Sequence, residues 1–206
     1  YRSCLEQAGF DGLLIRAFEE IQWMREEQIS FSASFDASVY AWNHGAVHTL
    51  KEEQAAFITA PWELNSRELE PVFEACRREG LPAELIVYGR APMMVSAQCI
   101  TKTVKGCSKC PSLLWMKDRT GARLPVQNHC AFCYNTILNP LPVSLHGCAD
   151  SVKRLAPEGL RLCFTIETGE ETKAVLNAFA AEFIRGENVE PPFTEFTRGH
   201  FRRGVE

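Results

Sequence analysis

Cys99, Cys107, Cys110, Cys130 and Cys133 crowd into one short stretch of a chain with nine cysteines. Two pairs, Cys107-x-x-Cys110 and Cys130-x-x-Cys133, have the spacing of a four-cysteine zinc site. Two intervening residues let both sulfurs face one metal from a tight turn, and two such turns complete a tetrahedron. An iron–sulfur cluster uses the same four thiolates, so spacing alone leaves zinc and iron–sulfur both open, with structural zinc in front. Cys99 complicates the zinc assignment. A zinc knuckle has no use for a fifth thiol, whereas a cluster with ligands on separate loops can use Cys99 and discard another. The plain alternative is that Cys99 is a free thiol. Cys4, Cys76, Cys148 and Cys163 are scattered, which argues against a general disulfide frame. Cys76 in VFEAC and Cys163 in LRLCFTI sit among apolar residues and read as core cysteines.

Charge is concentrated in the same stretch. Between Ala91 and Asn139, Lys102, Lys105, Lys109, Lys117, Arg119 and Arg123 are opposed only by Asp118, while the whole chain carries −4. A basic segment in an acidic chain suits an anionic partner such as nucleic acid, a carboxylate or a phosphate. A solvated lysine-rich loop is the plainer explanation of charge alone.

The elements that must position these groups come from the rest of the 206 residues. DGLLIRA (11–17) reads as a buried strand and FEEIQWMREE (18–27) as a helix. ISFSASF (29–35) is a strand ending at Asp36, an expected cap for a helix over ASVYAWNHGAVHTLKEE. AAFITAP (55–61) is a strand closed by proline. Asn65 caps NSRELEPVFEACRREG, with Glu68 placed for a capping box and Gly80 as the stop. Leu69, Val72, Phe73 and Cys76 share one face of that helix. ELIVYG (84–89) is the next strand. This alternation predicts parallel βα units, whose sites lie beyond the carboxyl ends of the strands. Cys99 follows ELIVYG directly.

Residues 91–150 read as irregular apart from a hairpin, LLWMKDRTGARLPV, turning at Asp118–Gly121. LRLCFTIET (160–168) is a strand and EETKAVLNAFAAEFIRG a helix. About four βα units are legible, where a closed barrel of this type has eight. The expected fold class is α/β: a partial TIM-like barrel half over 1–90, a cysteine-rich irregular and hairpin region over 91–150, and a small α+β segment over 151–206. The chain starts at Tyr1 and a half barrel exposes strand edges, so a missing N-terminal barrel half is expected as partner. No signal peptide and no apolar run long enough for a membrane helix is present, so a cytoplasmic protein with no membrane contact is expected.

Other candidates are weaker. Glu63 follows strand AAFITAP, where barrel enzymes place catalytic groups, and His129 precedes Cys130, where it can tune a cluster or serve only as a loop residue. Asp36 and Asn43 face the site or merely cap. His44 and His48 are four apart but lack the glutamate of a zincin motif. A peptidase needs an activated nucleophile or a metal-bound water. Neither Gly-x-Ser-x-Gly nor His-Glu-x-x-His is present.

The strings AAFITAPWELN, ELIVYGRAPMMVSAQC, KDRTGARLPV, CYNTILNPLPVSL and TRGHFRRGVE resemble the collagenase-like peptidase family U32, and most closely the C-terminal part of its long bacterial members. The resemblance covers nearly the whole chain. It implies a TIM-like barrel core and a 4Fe–4S cluster held by four cysteines after a barrel strand. It also implies oxygen-independent hydroxylation of RNA bases or of a quinone precursor, with prephenate as hydroxyl donor in some members. By position, the resemblance assigns the ligands to Cys99, Cys107, Cys130 and Cys133, the last two preceding Tyr134 and Asn135, with Cys110 the first to be left out of the five. The chain departs from the RNA hydroxylases in lacking their Ser-Gly-x-Cys element, having QCITKTVKGC instead.

Two functions from different classes follow. The first is an iron–sulfur enzyme part acting on RNA. In it, Lys102, Lys105, Lys109, Lys117 and Arg119 meet the anionic substrate, assisted by Arg90 and the tail residues Arg198, Arg202 and Arg203. The second is an RNA-binding module with structural zinc, indifferent to Cys99. The family name adds a collagenase-like peptidase, supported by resemblance only.

Overall fold

In the computed structural model, which describes residues 2–107, 109 and 113–204, helices and strands alternate as far as Gly89. They are α1 (Arg2–Ala8), β1 (Gly12–Ile15), α2 (Phe18–Glu26), β2 (Ser32–Phe35), α3 (His44–Glu52), β3 (Phe57–Thr59), α4 (Ser66–Glu79) and β4 (Ala83–Gly89). A run of strands follows: β5 (Pro92–Ser96), a short α5 (Ile100–Lys105), β6 (Leu113–Lys117), β7 (Arg123–His129), β8 (Tyr134–Leu138) and β9 (Val143–Ser144). The chain continues with α6 (Ala149–Leu155), β10 (Gly159–Cys163) and α7 (Gly169–Phe179), which runs on into a π-helical turn, Ala180–Arg185. Two units result. One holds the chain up to Val87, Cys148–Arg161 and the tail from Gly199; the other holds Tyr88–Gly147 and Leu162–Arg198.

The first unit is the expected α/β arrangement. Strands β1 to β4 pair in parallel in sequence order, and β10 lies beside β4. The strands follow an open path, and no closed barrel is present among the described residues. Ile15, Phe35, Ile58 and Ala83 are register neighbours and all are buried, so one face of the sheet is core. Helix α4 presents Leu69, Val72, Phe73 and Cys76 as its buried stripe. Its start is a reciprocal box. The Asn65 side chain accepts from the Arg67 and Glu68 amides, and Glu68 accepts from the Asn65 amide at 2.9 Å. Gly80, at φ +60°, ends it. The tail closes over this helix start: the Ser66 amide donates to the Phe201 carbonyl, and a Cβ at Gly204 would meet Asn65 Nδ2 at 2.8 Å.

The other sheet face carries charge. Arg161 Nη1 on β10 donates to Asp36, Thr59 and Glu84 at 2.9, 3.1 and 3.2 Å, and Thr59 donates to Glu84 at 2.7 Å. Arg16 also meets Asp36, at 3.0 Å. These contacts correct the expected role of Asp36. It caps only one 3-10 turn, Ala37–Val39, and Asn43 starts α3 by accepting from the Ala46 amide. Tyr40, at φ +58°, separates the two, because a right-handed helix cannot run through a left-handed residue.

In the second unit, the stretch expected to be mostly irregular is a four-stranded antiparallel sheet of order β5-β8-β7-β6. The hairpin at Asp118–Gly121 is present, as β6 and β7. Its partners were hidden because β5 and β8 pair across a long sequence separation and each is too short to show alternation. The last two residues of β4, Tyr88 and Gly89, pair with β9. The Tyr88 ring packs against Phe164, Phe179 and Phe193, and its hydroxyl donates to Glu167 at 3.1 Å. Burial first, then the Glu167 charge, pushes this phenol well above the ordinary tyrosine range. No helix of the described residues is long and apolar enough to cross a membrane.

Candidate cysteine site

Register brings two distant cysteines together. β5 and β8 run antiparallel with Ser96 opposite Asn135. The chain leaving β5 therefore passes the chain entering β8. Cys99 lies just beyond Ser96 and Cys133 just before Tyr134. Both line an open pocket of about 570 Å³, shared with Gln98, Lys102 and Thr103.

The Cys130–Cys133 segment is the turn joining β7 to β8, closed above His129 and Tyr134, which are register partners. The Phe132 amide donates to the His129 carbonyl at 3.0 Å. Cys133 sits at φ +57°, a left-handed conformation that non-glycine residues adopt rarely. Its sulfur lies 4.0 Å from the Cys130 carbonyl oxygen. Beneath the turn the His129 ring stacks on Tyr134 with centroids 4.3 Å apart, and its Nε2 is 3.1 Å from Thr136 Oγ1. His129 is thus a neighbour of the turn with its ring already engaged.

Cys99 stands at the start of α5, whose first turn is held by Thr103 Oγ1 donating to the Cys99 carbonyl at 3.0 Å. Cys107 is exposed, just past Gly106, which ends α5 at φ +84°. Cys110 lies outside the described residues. Among the described residues, no three Cys, His, Asp or Glu side chains converge as metal ligands. The donor set therefore fits a four-thiolate group in part: two thiols share a pocket, and soft sulfur suits zinc or iron–sulfur alike.

The basic residues divide into two kinds. Lys102, Lys105, Lys109, Lys117 and Arg119 are exposed and form no ion pair among the described residues. Lys117 stands directly opposite Arg123 in the hairpin, and Arg123 lies over the Trp115 ring at 5.1 Å. Like charges in direct cross-strand register weaken a hairpin. By contrast, the Arg90 guanidinium donates to the Asn139 and Pro140 carbonyls and lies 3.7 Å from Glu167. Arg198 donates to the Ser144 and His146 carbonyls and stacks on Phe196. Arg202 and Arg203 are exposed, in the tail of the first unit. Glu63 also belongs to the first unit. It is half-buried beyond β3, and its Oε2 is buried without a hydrogen-bond partner among the described residues. His48 of the His44/His48 pair meets Glu79 and Glu52 at 3.2 and 3.7 Å on the surface of α3.

Sequence reasoning missed Asn128 and Asn135, which are buried in strands β7 and β8. The signal was available, because asparagine is depleted in strands and a strand asparagine is unusual. It also missed Arg161, the one charged residue in the strand GLRLC.

A family model, Peptidase family U32, matches residues 1–140. Comparison with curated proteins gave no match, and neither did comparison with solved structures. The matched span runs from α1 to the end of β8, so it takes in the four parallel strands and the whole cysteine-bearing sheet. The chain belongs to peptidase family U32.

Proposed function

We propose that the second unit holds a 4Fe–4S cluster on Cys99, Cys107, Cys130 and Cys133, with Cys110 left over, and serves an oxygen-independent hydroxylation of RNA. The observation that carries this is the β5–β8 pairing, which places Cys99 and Cys133 at one pocket beside Lys102. A zinc knuckle built from the two Cys-x-x-Cys pairs would leave Cys99 without a part. When bound, such a cluster, with a thiolate on each iron, would supply electron transfer. The hydroxyl would come from a donor such as prephenate rather than from dioxygen.

The chain's own residues would bind the substrate. Lys102, Lys105, Lys109, Lys117 and Arg119 form no ion pair among the described residues, which leaves their charge open to phosphate. The Lys117–Arg123 repulsion falls when a polyanion lies across the hairpin. Trp115, half-exposed, offers a surface on which an unpaired base can stack. The peptidase alternative has less support. The rings of His48, His129, His146 and His200 are engaged with carboxylates, a threonine and a carbonyl, and His44 is exposed at the start of α3.

Nucleoside mass spectrometry of RNA from cells with and without the gene tests this reading. Loss of a hydroxylated nucleoside, restored by the wild-type gene but not by Cys99→Ser, is expected. An unchanged nucleoside profile would overturn it.

A further inference from the structure

Asn128 and Asn135 are direct cross-strand neighbours on β7 and β8. They are 6% and 0% exposed. Buried amides are costly in a sheet core unless their hydrogen bonds are made, so their partners say what they are kept for. Both send their amide nitrogens to one short stretch, from the link after β5 into the first turn of α5. Asn135 Nδ2 donates to the Gln98 carbonyl at 2.9 Å. Asn128 Nδ2 donates to Thr101 Oγ1 at 2.9 Å. Gln98 and Thr101 bracket Cys99 in the chain.

We infer that Asn128 and Asn135 form a two-amide clamp that fixes the segment 98–101, and with it the Cys99 thiol, against the turn that carries Cys133. They act through Cys99 and are positioning residues. The segment needs such anchors. Ala97 and Gln98 are exposed, α5 is short and has no buried residue, and local support is limited to Ser96 and Thr103. Asn135 Oδ1 has no hydrogen-bond partner among the described residues, so the observed role of the side chain is its donor. A leucine would fill the same space in the sheet without holding Gln98. Because Asn128 and Asn135 are on adjacent strands and Asn135 is two residues from Cys133, the clamp ties the geometry of the two thiols to one rigid ladder.

The purpose of the clamp rests on the reading of these cysteines as cluster ligands, but its existence can be measured without a metal. The full chain, stripped of metal by a chelator under anaerobic conditions, is alkylated with iodoacetamide and each cysteine is followed by mass spectrometry. Thr101→Val, which removes the Asn128 partner and leaves the sheet intact, should change the Cys99 rate by at least about fivefold, since thiol reactivity follows local environment. The Cys107 rate and the circular dichroism spectrum should be unchanged, and Thr101→Ser should restore the wild-type rate. Asn135→Leu should act in the same direction where it folds. After reconstitution with iron and sulfide, both variants should retain less iron than wild type. An unaltered Cys99 rate in folded Thr101→Val would overturn the clamp. A Cys99 rate that responds in a protein taking up no iron would uphold the clamp and remove the cluster reading instead.

Discussion

Cys76 and Cys133 have the same side chain in opposite settings. Cys76 faces the core of the parallel unit from α4, 2% exposed, and burial pushes its thiol up to about 11. Cys133 is exposed in a tight turn of the antiparallel unit, at a positive φ, on a pocket wall. The charged groups divide in the same way. In the parallel unit Arg161, Asp36, Thr59, Glu84 and Arg16 close on one another. In the antiparallel unit the lysines of residues 102–117 are open to solvent and unpaired among the described residues. The first unit closes this charged cluster on itself, as a scaffold does. The other leaves thiols and cations available to a second molecule.

The contrast between the thiols should be the largest measurable effect. Raising Cys76 from an ordinary 9 to about 11 alone cuts its thiolate at pH 8 about 100-fold. Alkylation of the native, metal-free chain should therefore label Cys133 to completion while Cys76 remains unmodified. Equal labelling would erase the distinction between the units. Next comes the scaffold itself. Phe73→Ala should cost about 3–5 kcal/mol, read as a lower denaturation midpoint, because Phe73 is fully buried on α4. Iron bound per folded chain should not change. A loss well under that would mean that the α4 face is not core.

A smaller loss, about 1 kcal/mol, is expected for Asn65→Ala, which removes the cap of α4. The smallest effect lies in the hairpin. Asp118 accepts from the Thr120 hydroxyl and from the Thr120 and Ala122 amides, and these bonds, the Thr120 side chain first, hold its carboxyl below the usual range. A depressed folded value means that the contribution is present above the ordinary carboxylate value, about pH 4, and is lost as pH falls through the depressed one. The Gly121 amide resonance should shift only in that acidic window, and Asp118→Asn should abolish the shift. A transition centred near neutral pH would contradict the assignment.

Much of the parallel unit was legible because its signals are local. The Asn65–Glu68 box, the Gly80 stop and the stripe Leu69–Val72–Phe73–Cys76 each lie within one helix. The Asp118–Gly121 turn was legible for the same reason. Asp36 was misplaced because a capping residue looks the same in sequence whether it begins three residues of 3-10 helix or a full α-helix. The cysteine pocket was only half legible. Spacing showed that Cys130 and Cys133 share a turn, but the meeting of Cys133 with Cys99 depends on the β5–β8 register, a pairing between distant segments. The clamping asparagines were invisible as a pair, since nothing local says that residues 128 and 135 stand opposite each other.

The antiparallel unit is proposed here as a cluster site. Metal analysis and a visible absorption spectrum of the chain, purified without oxygen, test it most directly. The expected result is a brown protein with about four irons per chain, bleached by Cys99→Ser and little changed by Cys110→Ser. A colourless protein with about one zinc per chain, the same with or without Cys99, would contradict it and make the two Cys-x-x-Cys pairs a structural staple.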